Sequence, residues 1–494
     1  MRVPFWESKH PKPAMDIERC NRPRKEIKMS MKSYADPDGL EFTASSPESA
    51  NKFAEFTSSY MGFRRETGAI LKEITEADPD MPMARCAKGY LAKLFGSSNH
   101  SARANKISAD LNDHIKATNA NEREQQHTAA LASWCAGDLD KSTRIWEEIL
   151  LGHPQDGLAL RLAHFTHFYS GDGRKMRDSM ARILPLWSED HRNYGFLQGM
   201  YAFGLEESGQ YEKAERHGRE AVERNPQDAW SVHSIAHVLE MTERHEEGIE
   251  WVAGLENDWS TVNNFRFHLY WHKSLYHLER GEFDEVMRIY DEQIASDIES
   301  DFYLDICNCS SLLWRLEMFG IDVGDRWKAL VGVAKRHLED KDLIFVSLHY
   351  LMALIAGGDK AASEQMIEGM QRWSTLDETQ ARICGEVGLA IAAGLQHARE
   401  GRFADAVTAI EPVRYKLNLV GGSAAQRDVF VMIMLDAAKA SSDALVARAL
   451  FAERLGEKVH SSWTWKNYSA ILDTIGQTDE AKIAEAKARE ILVT

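Results

Sequence analysis

The stretch SGQYEKAERHGREAVERNPQDAWSVHSIAHVLEM, residues 208–241, decides how the chain is to be read. Gly209 suits the left-handed residue that ends one helix, while Tyr211 and Ala214 let a second helix pack closely against it. Pro226 stops that second helix and turns the chain into a new amphipathic stretch. The same cassette returns as Gly137-x-Leu139-x-x-Ser142, Gly281-x-Phe283-x-x-Val286, Gly401-x-Phe403-x-x-Ala406 and Gly476-x-Thr478-x-x-Ala481, and Pro154 repeats the role of Pro226.

The glycines at 137, 209 and 281 are 72 residues apart in turn, two units of the roughly 34-residue tetratricopeptide period. Intermediate units are expected near Gly171 and near His245. The fold class that follows is all-α: a tetratricopeptide-type helix-pair solenoid, a right-handed superhelix with atypical terminal helices. Helices are expected from 47–60 through 478–492, with first helices of successive pairs at 157–170, 194–208, 228–243, 262–280, 302–319 and 342–356. No stretch alternates with period two for long enough to make a sheet. The expected organisation is a disordered extension at 1–30, an N-terminal helical cap at 31–118, and a solenoid at 119–494 whose C-terminal repeats are atypical. The turn signal LVGGSAAQRD, residues 419–428, marks the least regular part of that solenoid.

Hydrophobic content of 44% and charged content of 27% suffice for a continuous core. A net charge of -17 leaves no basic field to neutralise phosphates, so nucleic acid is not an expected partner. No run approaches the roughly 20 apolar residues that span a bilayer, so no membrane is expected either. Residues 1–30 are basic and proline-bearing without an apolar core, unlike a secretory signal. The six cysteines form no CxxC pair or framework, which fits reduced thiols and a cytoplasmic location. A homo-oligomer is left open.

The order of DGLALRLAHFTHFY (156–169), MRDSMARILPLW (176–187), DAWSVHSIAHVLEM (228–241), FHLYWHKSLYHLERGEF (267–283), SLLWRLEMFG (311–320) and GGSAAQRDVF (421–430) resembles the tetratricopeptide repeat protein 38 family over roughly residues 120–430. The resemblance implies an intracellular helical-repeat protein and assigns no reaction. Matching positions include His164, Trp230, His233, His237, Glu240, His268, Trp271, His272, Asp305, Arg315, Arg427 and Asp428.

In a stack of helix pairs the first helix of each pair lines the concave face. Trp230, His233, His237 and Glu240 recur at spacings of three and four, so they share one face of a first helix. His268 and His272 are one turn apart on the next first helix, with Trp271 beside them. Axes about 8–10 Å apart would let the imidazoles converge. His164, Asp305, Arg315 and His349 are assigned to inner helices of other units, and Arg427 to an edge of the groove.

Several readings of this cluster stay open. His233, His237, His268 and His272 supply the nitrogen ligands that a divalent transition metal accepts, although no H-E-x-x-H signature is present. Without a metal, His233, His237, Glu240, His268, His272 and Asp305 could carry acid-base chemistry of hydrolase or lyase type. Trp230, Trp271, His164, Arg315, His349 and Arg427 would then bind the ligand. A third reading is a buried hydrogen-bonded network that only fixes the stacking of units. The leading expectation is recognition of a small molecule or peptide in the concave groove, with catalysis and pure protein scaffolding as alternatives. The cofactor is unknown from sequence.

Overall fold

In the computed structural model, which describes residues 31–493, the cassette glycines Gly137, Gly171, Gly209, Gly281, Gly401 and Gly476 all have φ between 65° and 81°. This left-handed turn has little cost for glycine and sets the second helix of each pair back against the first. At the unit before His245 a glutamate, Glu243, occupies the same region with φ 57°. First helices begin at residues 122, 157, 194, 229, 265 and 303, close to the expected repeat length. Aspartates cap two of them: the Asp156 side chain accepts from the Ala159 N–H and that of Asp228 from the Trp230 N–H. The result is the tetratricopeptide-type helix-pair solenoid.

The repeat array is not an open arc. Residues near 137–171 meet residues near 379–421: Thr379 N–H donates to the Gly137 carbonyl at 3.0 Å and the Gln380 amide to the Tyr169 carbonyl at 3.3 Å. Gly171 and Gly421 allow this approach. A Cβ on Gly171 would lie 1.7 Å from the Asn418 carbonyl oxygen, and one on Gly421 would lie 2.7 Å from that of Tyr169. The Lys93–Asp342 ion pair and the Ser98 N–H to Asp340 hydrogen bond, 2.8 Å, tie the N-terminal helices to the same seam.

Residues 31–118, expected as a helical cap, begin with an antiparallel hairpin, Lys32–Ala35 and Glu41–Ala44. The expectation of no sheet is corrected at this point. Strands of four residues are too short to show a period, and their support is distant: Thr43 N–H donates to Glu124 at 2.8 Å and Arg123 to the Glu41 carbonyl at 2.8 Å. The segment then runs across the inner face. Helix Pro47–Met61 packs on Gly157–Tyr169, and Phe63 stacks on Phe265 at 4.4 Å and on Trp230 at 5.7 Å. Helix Ala424–Ala440 packs against Tyr303–Met318 and Ala229–Met241. What the sequence suggests as an open concave groove is thus largely filled by the chain itself. The extension expected at residues 1–30 lies outside the described residues.

Candidate functional site

Helices Ala229–Met241 and Phe265–Glu279 are neighbouring first helices of the stack. Spacings of four bring two imidazoles from each to a common face. The His233 ring centre is 4.4 Å from that of His237, 5.0 Å from His268 and 5.0 Å from His272. His237 and His272 are 4.4 Å apart, and His268 and His272 4.8 Å. None of the four is more than 3% exposed. Burial holds His233, His237 and His272 well below the usual imidazole range, with the neighbouring imidazoles adding to the effect. Burial takes His268 down to about 4, against a hydrogen bond with Asn308 that favours the charged form. All four rings are therefore neutral at pH 7, each with one N–H and one lone pair.

The lone pairs and N–H groups are incompletely matched. Nε2 of His237 and Nε2 of His233 form a 2.9 Å hydrogen bond, and Nδ1 of His268 donates to Asn308 Oδ1 at 2.8 Å. Both nitrogens of His272, and Nδ1 of His233 and of His237, have no hydrogen-bond partner among the described residues. Glu206 Oε2 is 3.9 Å from His237 Nδ1, too long for a hydrogen bond. Burial raises the Glu206 carboxyl well above the usual range, so the two groups do not make an ion pair. One nitrogen from each of the four imidazoles lies within 4.8 Å of the others, a grouping from which a metal ion could be held.

Glu240 does not join this cluster, contrary to the sequence reading. It lies two turns beyond His233, about 10 Å along the helix axis, where Lys458 Nζ approaches Oε1 at 3.6 Å and donates to the backbone carbonyl at 3.3 Å. Glu206, from helix Tyr194–Glu206, is the carboxylate beside His237. Its sequence signal is only an acidic pair, Glu206-Glu207, closing an inner helix.

Above His233 and His268 is a cavity of about 400 Å³. Phe165, Phe168, Trp230, Phe265 and Leu91 supply much of its wall, and Arg65, Gly68 and Phe95 bring it to the surface. Three buried polar atoms of lining residues lack a partner among the described residues: Tyr60 Oη, Trp230 Nε1 and His233 Nδ1. Behind the aromatic wall, Arg161 is 1% exposed and has no hydrogen-bond partner among the described residues for any guanidinium nitrogen. Its charge is held against the faces of Phe63, Phe165 and Trp230 at 4.4, 4.5 and 4.7 Å. Phe63, Phe265, Tyr60, Arg161 and Asn308 were not singled out by sequence, since aromatic and amide residues at core spacing carry no signal of their own.

The other expected site residues are dispersed. Trp271 is fully buried, stacked on His268 at 5.1 Å, and donates to Ser311 Oγ at 3.0 Å, so it supports the cluster from behind. His164 packs against Trp230 at 5.5 Å, with neither nitrogen partnered among the described residues. Asp305 accepts from Asn264 Nδ2 at 2.7 Å, and burial raises its carboxyl to about 7. Arg315 is spent inside the protein, donating to the carbonyls of Ser311 at 3.2 Å and Ala425 at 2.8 Å. His349 donates Nδ1–H to the Phe345 carbonyl at 2.8 Å. Arg427, expected at an edge of the groove, pairs with the Gly422 carbonyl and Glu207, and Asp428 pairs with both terminal nitrogens of Arg454 at 2.6 and 2.9 Å. The structure therefore brings together Trp230, His233, His237, His268 and His272, and leaves Asp305, Arg315, His349 and Arg427 on separate partners.

No family model matches the chain. Among solved structures it is similar to the human IFIT1 dimer with m7Gppp-AAAA, at 13% identity over 83% of this chain and 90% of that one, with a TM-score of 0.36. It is also similar to Naa15/Naa10 bound to HypK-THB, at 11% identity over 90% and 78%, TM-score 0.23, and to the P58(IPK) TPR domain, at 13% over 75% and 96%, TM-score 0.21. Likeness this remote says nothing of the site. Among the described residues no helix is long and apolar enough to cross a membrane.

Proposed function

We propose that this helical-repeat protein binds a small, mainly apolar organic molecule in the cavity above His233 and His268. The observation that carries the reading is the cavity itself, with a mainly aromatic wall that opens to the surface beside Arg65. The volume, about 400 Å³, falls in the range of small-molecule sites, roughly 300–1,000 Å³. A ring system or branched chain bearing at least one hydrogen-bond acceptor fits this wall. An extended peptide does not, because the N-terminal segment and helix Ala424–Ala440 occupy the face it would need.

The same reading includes membership of the tetratricopeptide repeat protein 38 family and a cytoplasmic location, both supported by sequence features alone. Binding is preferred to catalysis because Glu240 and Asp305, the carboxylates of the expected acid-base set, have partners away from the cavity.

Nile red, an uncharged ring system with carbonyl and amine acceptors, is a suitable probe. Its fluorescence should rise on addition of the full-length chain, and Leu91→Trp or Phe265→Arg should reduce affinity at least tenfold. An exposed substitution such as Leu151→Ala should not. Equal binding by the folded wild type and both folded cavity variants would reject the assignment.

A further inference from the structure

The four imidazoles at the inner end of the cavity offer more than the protein around them uses. Four of their eight ring nitrogens are buried without a partner among the described residues: both from His272, and Nδ1 of His233 and His237. Among the described residues no cationic side chain is hydrogen-bonded to any of these ring nitrogens. Arg161 and Arg315, the nearby guanidinium groups, are directed to aromatic faces and backbone carbonyls instead.

We infer that His233, His237, His268 and His272 form a binding site for one divalent transition-metal ion of the zinc class. Three independent features of the geometry support this. First, the donor set is four imidazoles on two adjacent helices, each helix giving a pair one turn apart; nitrogen-only sets suit zinc, cobalt, nickel, copper or iron and not magnesium or calcium. Second, the spacing is close to that required. Metal–nitrogen bonds of about 2.0–2.1 Å place neighbouring ligand nitrogens roughly 2.9–3.4 Å apart, and Nε2 of His233 and Nε2 of His237 are 2.9 Å apart. The other separations are at most 4.8 Å, against roughly 3.4 Å between the ligands of a tetrahedral ion, so the rings would draw together by up to about 1.4 Å. Third, an outer shell is in place. Asn308 Oδ1 accepts the Nδ1 proton of His268 and so leaves its Nε2 as the lone-pair nitrogen. Glu206 stands beside His237 Nδ1 at 3.9 Å. Trp271 and Phe203 hold His268 and His233 from outside, at 5.1 and 5.3 Å between ring centres.

The inference stands apart from the cavity's ligand. His233 and His268 line the cavity as well as the cluster, so the ion would be reached from it, but neither Nile red binding nor its loss bears on metal content.

The test uses untagged full-length chain, refolded with cobalt(II) or zinc(II) so that a buried site can fill, then dialysed and measured for metal by mass spectrometry. About one equivalent per chain is expected, with the visible absorption of nitrogen-ligated cobalt(II). His237→Ala and His272→Ala should each weaken retention at least tenfold, whereas His164→Ala, buried but outside the set, should not. Folded wild-type chain that keeps less than a tenth of an equivalent of either metal would overturn the inference, as would folded His237→Ala and His272→Ala that keep as much as wild type. Should those variants fail to fold, the wild-type stoichiometry and the cobalt(II) spectrum decide alone.

Discussion

Nε2 of His233 and Nε2 of His237 lie 2.9 Å apart, so in the metal-free protein one ring carries its proton there and the other a lone pair. The tautomers of these two buried imidazoles are consequently linked to each other.

His268 makes the clearest case, because its Nδ1–H donates to Asn308 Oδ1 at 2.8 Å. With metal removed by chelator, nitrogen NMR at pH 7 should report His268 as a neutral ring protonated at Nδ1. Asn308→Leu should release that preference and broaden or shift both ring nitrogens. An imidazolium signal for His268 at pH 7 would contradict the buried, neutral geometry.

His349 provides a pH dependence away from the cluster. Burial lowers its pKa to about 4, against the favourable hydrogen bond to the Phe345 carbonyl and with the help of Arg315. The unfolded chain binds this proton near pH 6.5 and the folded chain only near 4, so stability falls as pH drops between those values. The loss should be about 3 kcal/mol by pH 4. His349→Gln can keep the hydrogen bond and cannot titrate. Denaturant melts of the two proteins should diverge below pH 6.5, wild type losing more.

Arg161 carries a charge that no hydrogen bond satisfies among the described residues. Burial lowers its pKa to about 10, so it stays charged at neutral pH. Aromatic faces return about 0.5–2 kcal/mol, less than burial of an ion costs. Arg161→Met, similar in length and apolar, should therefore raise stability by roughly 1 kcal/mol, seen as a higher urea midpoint with an unchanged slope. A lowered midpoint would mean the guanidinium has partners that the geometry does not show.

Gly171 tests the seam. An added methyl would meet the Asn418 carbonyl, and the backbone is left-handed at φ 65°. Gly171→Ala should cost more than about 1 kcal/mol and enlarge the radius of gyration in X-ray scattering. Gly209→Ala, with open space at the same kind of turn, should cost only the conformational part and leave the radius unchanged.

Repeat architecture was legible because its cassette is local: Gly209, Tyr211, Ala214 and Pro226 each act within one helical hairpin. Closure was not legible, since it depends on Gly171 meeting Asn418 and Phe63 meeting Phe265, pairs with no mark in either segment. The inward face of Ala229–Met241 could be read from the three- and four-residue spacings, which is why His233 and His237 were placed together with His268 and His272. The same rule misplaced Glu240, because sharing a face says nothing about distance along the axis. Arg315 and His349 also point inward, yet the groove they were meant to line is occupied by the chain itself, and their polar atoms are used by its carbonyls.

Linear repeat arrays are held by contacts between neighbours, so their ends can come apart while the middle stays folded. In this chain Ser98 bonds Asp340 and Tyr169 bonds Gln380, across 242 and 211 positions. Pulling away either terminus would strip cover from a distant unit, so fraying is expected to propagate into loss of the whole. Calorimetry should then register one melting event where an open array of this length would give a drawn-out series.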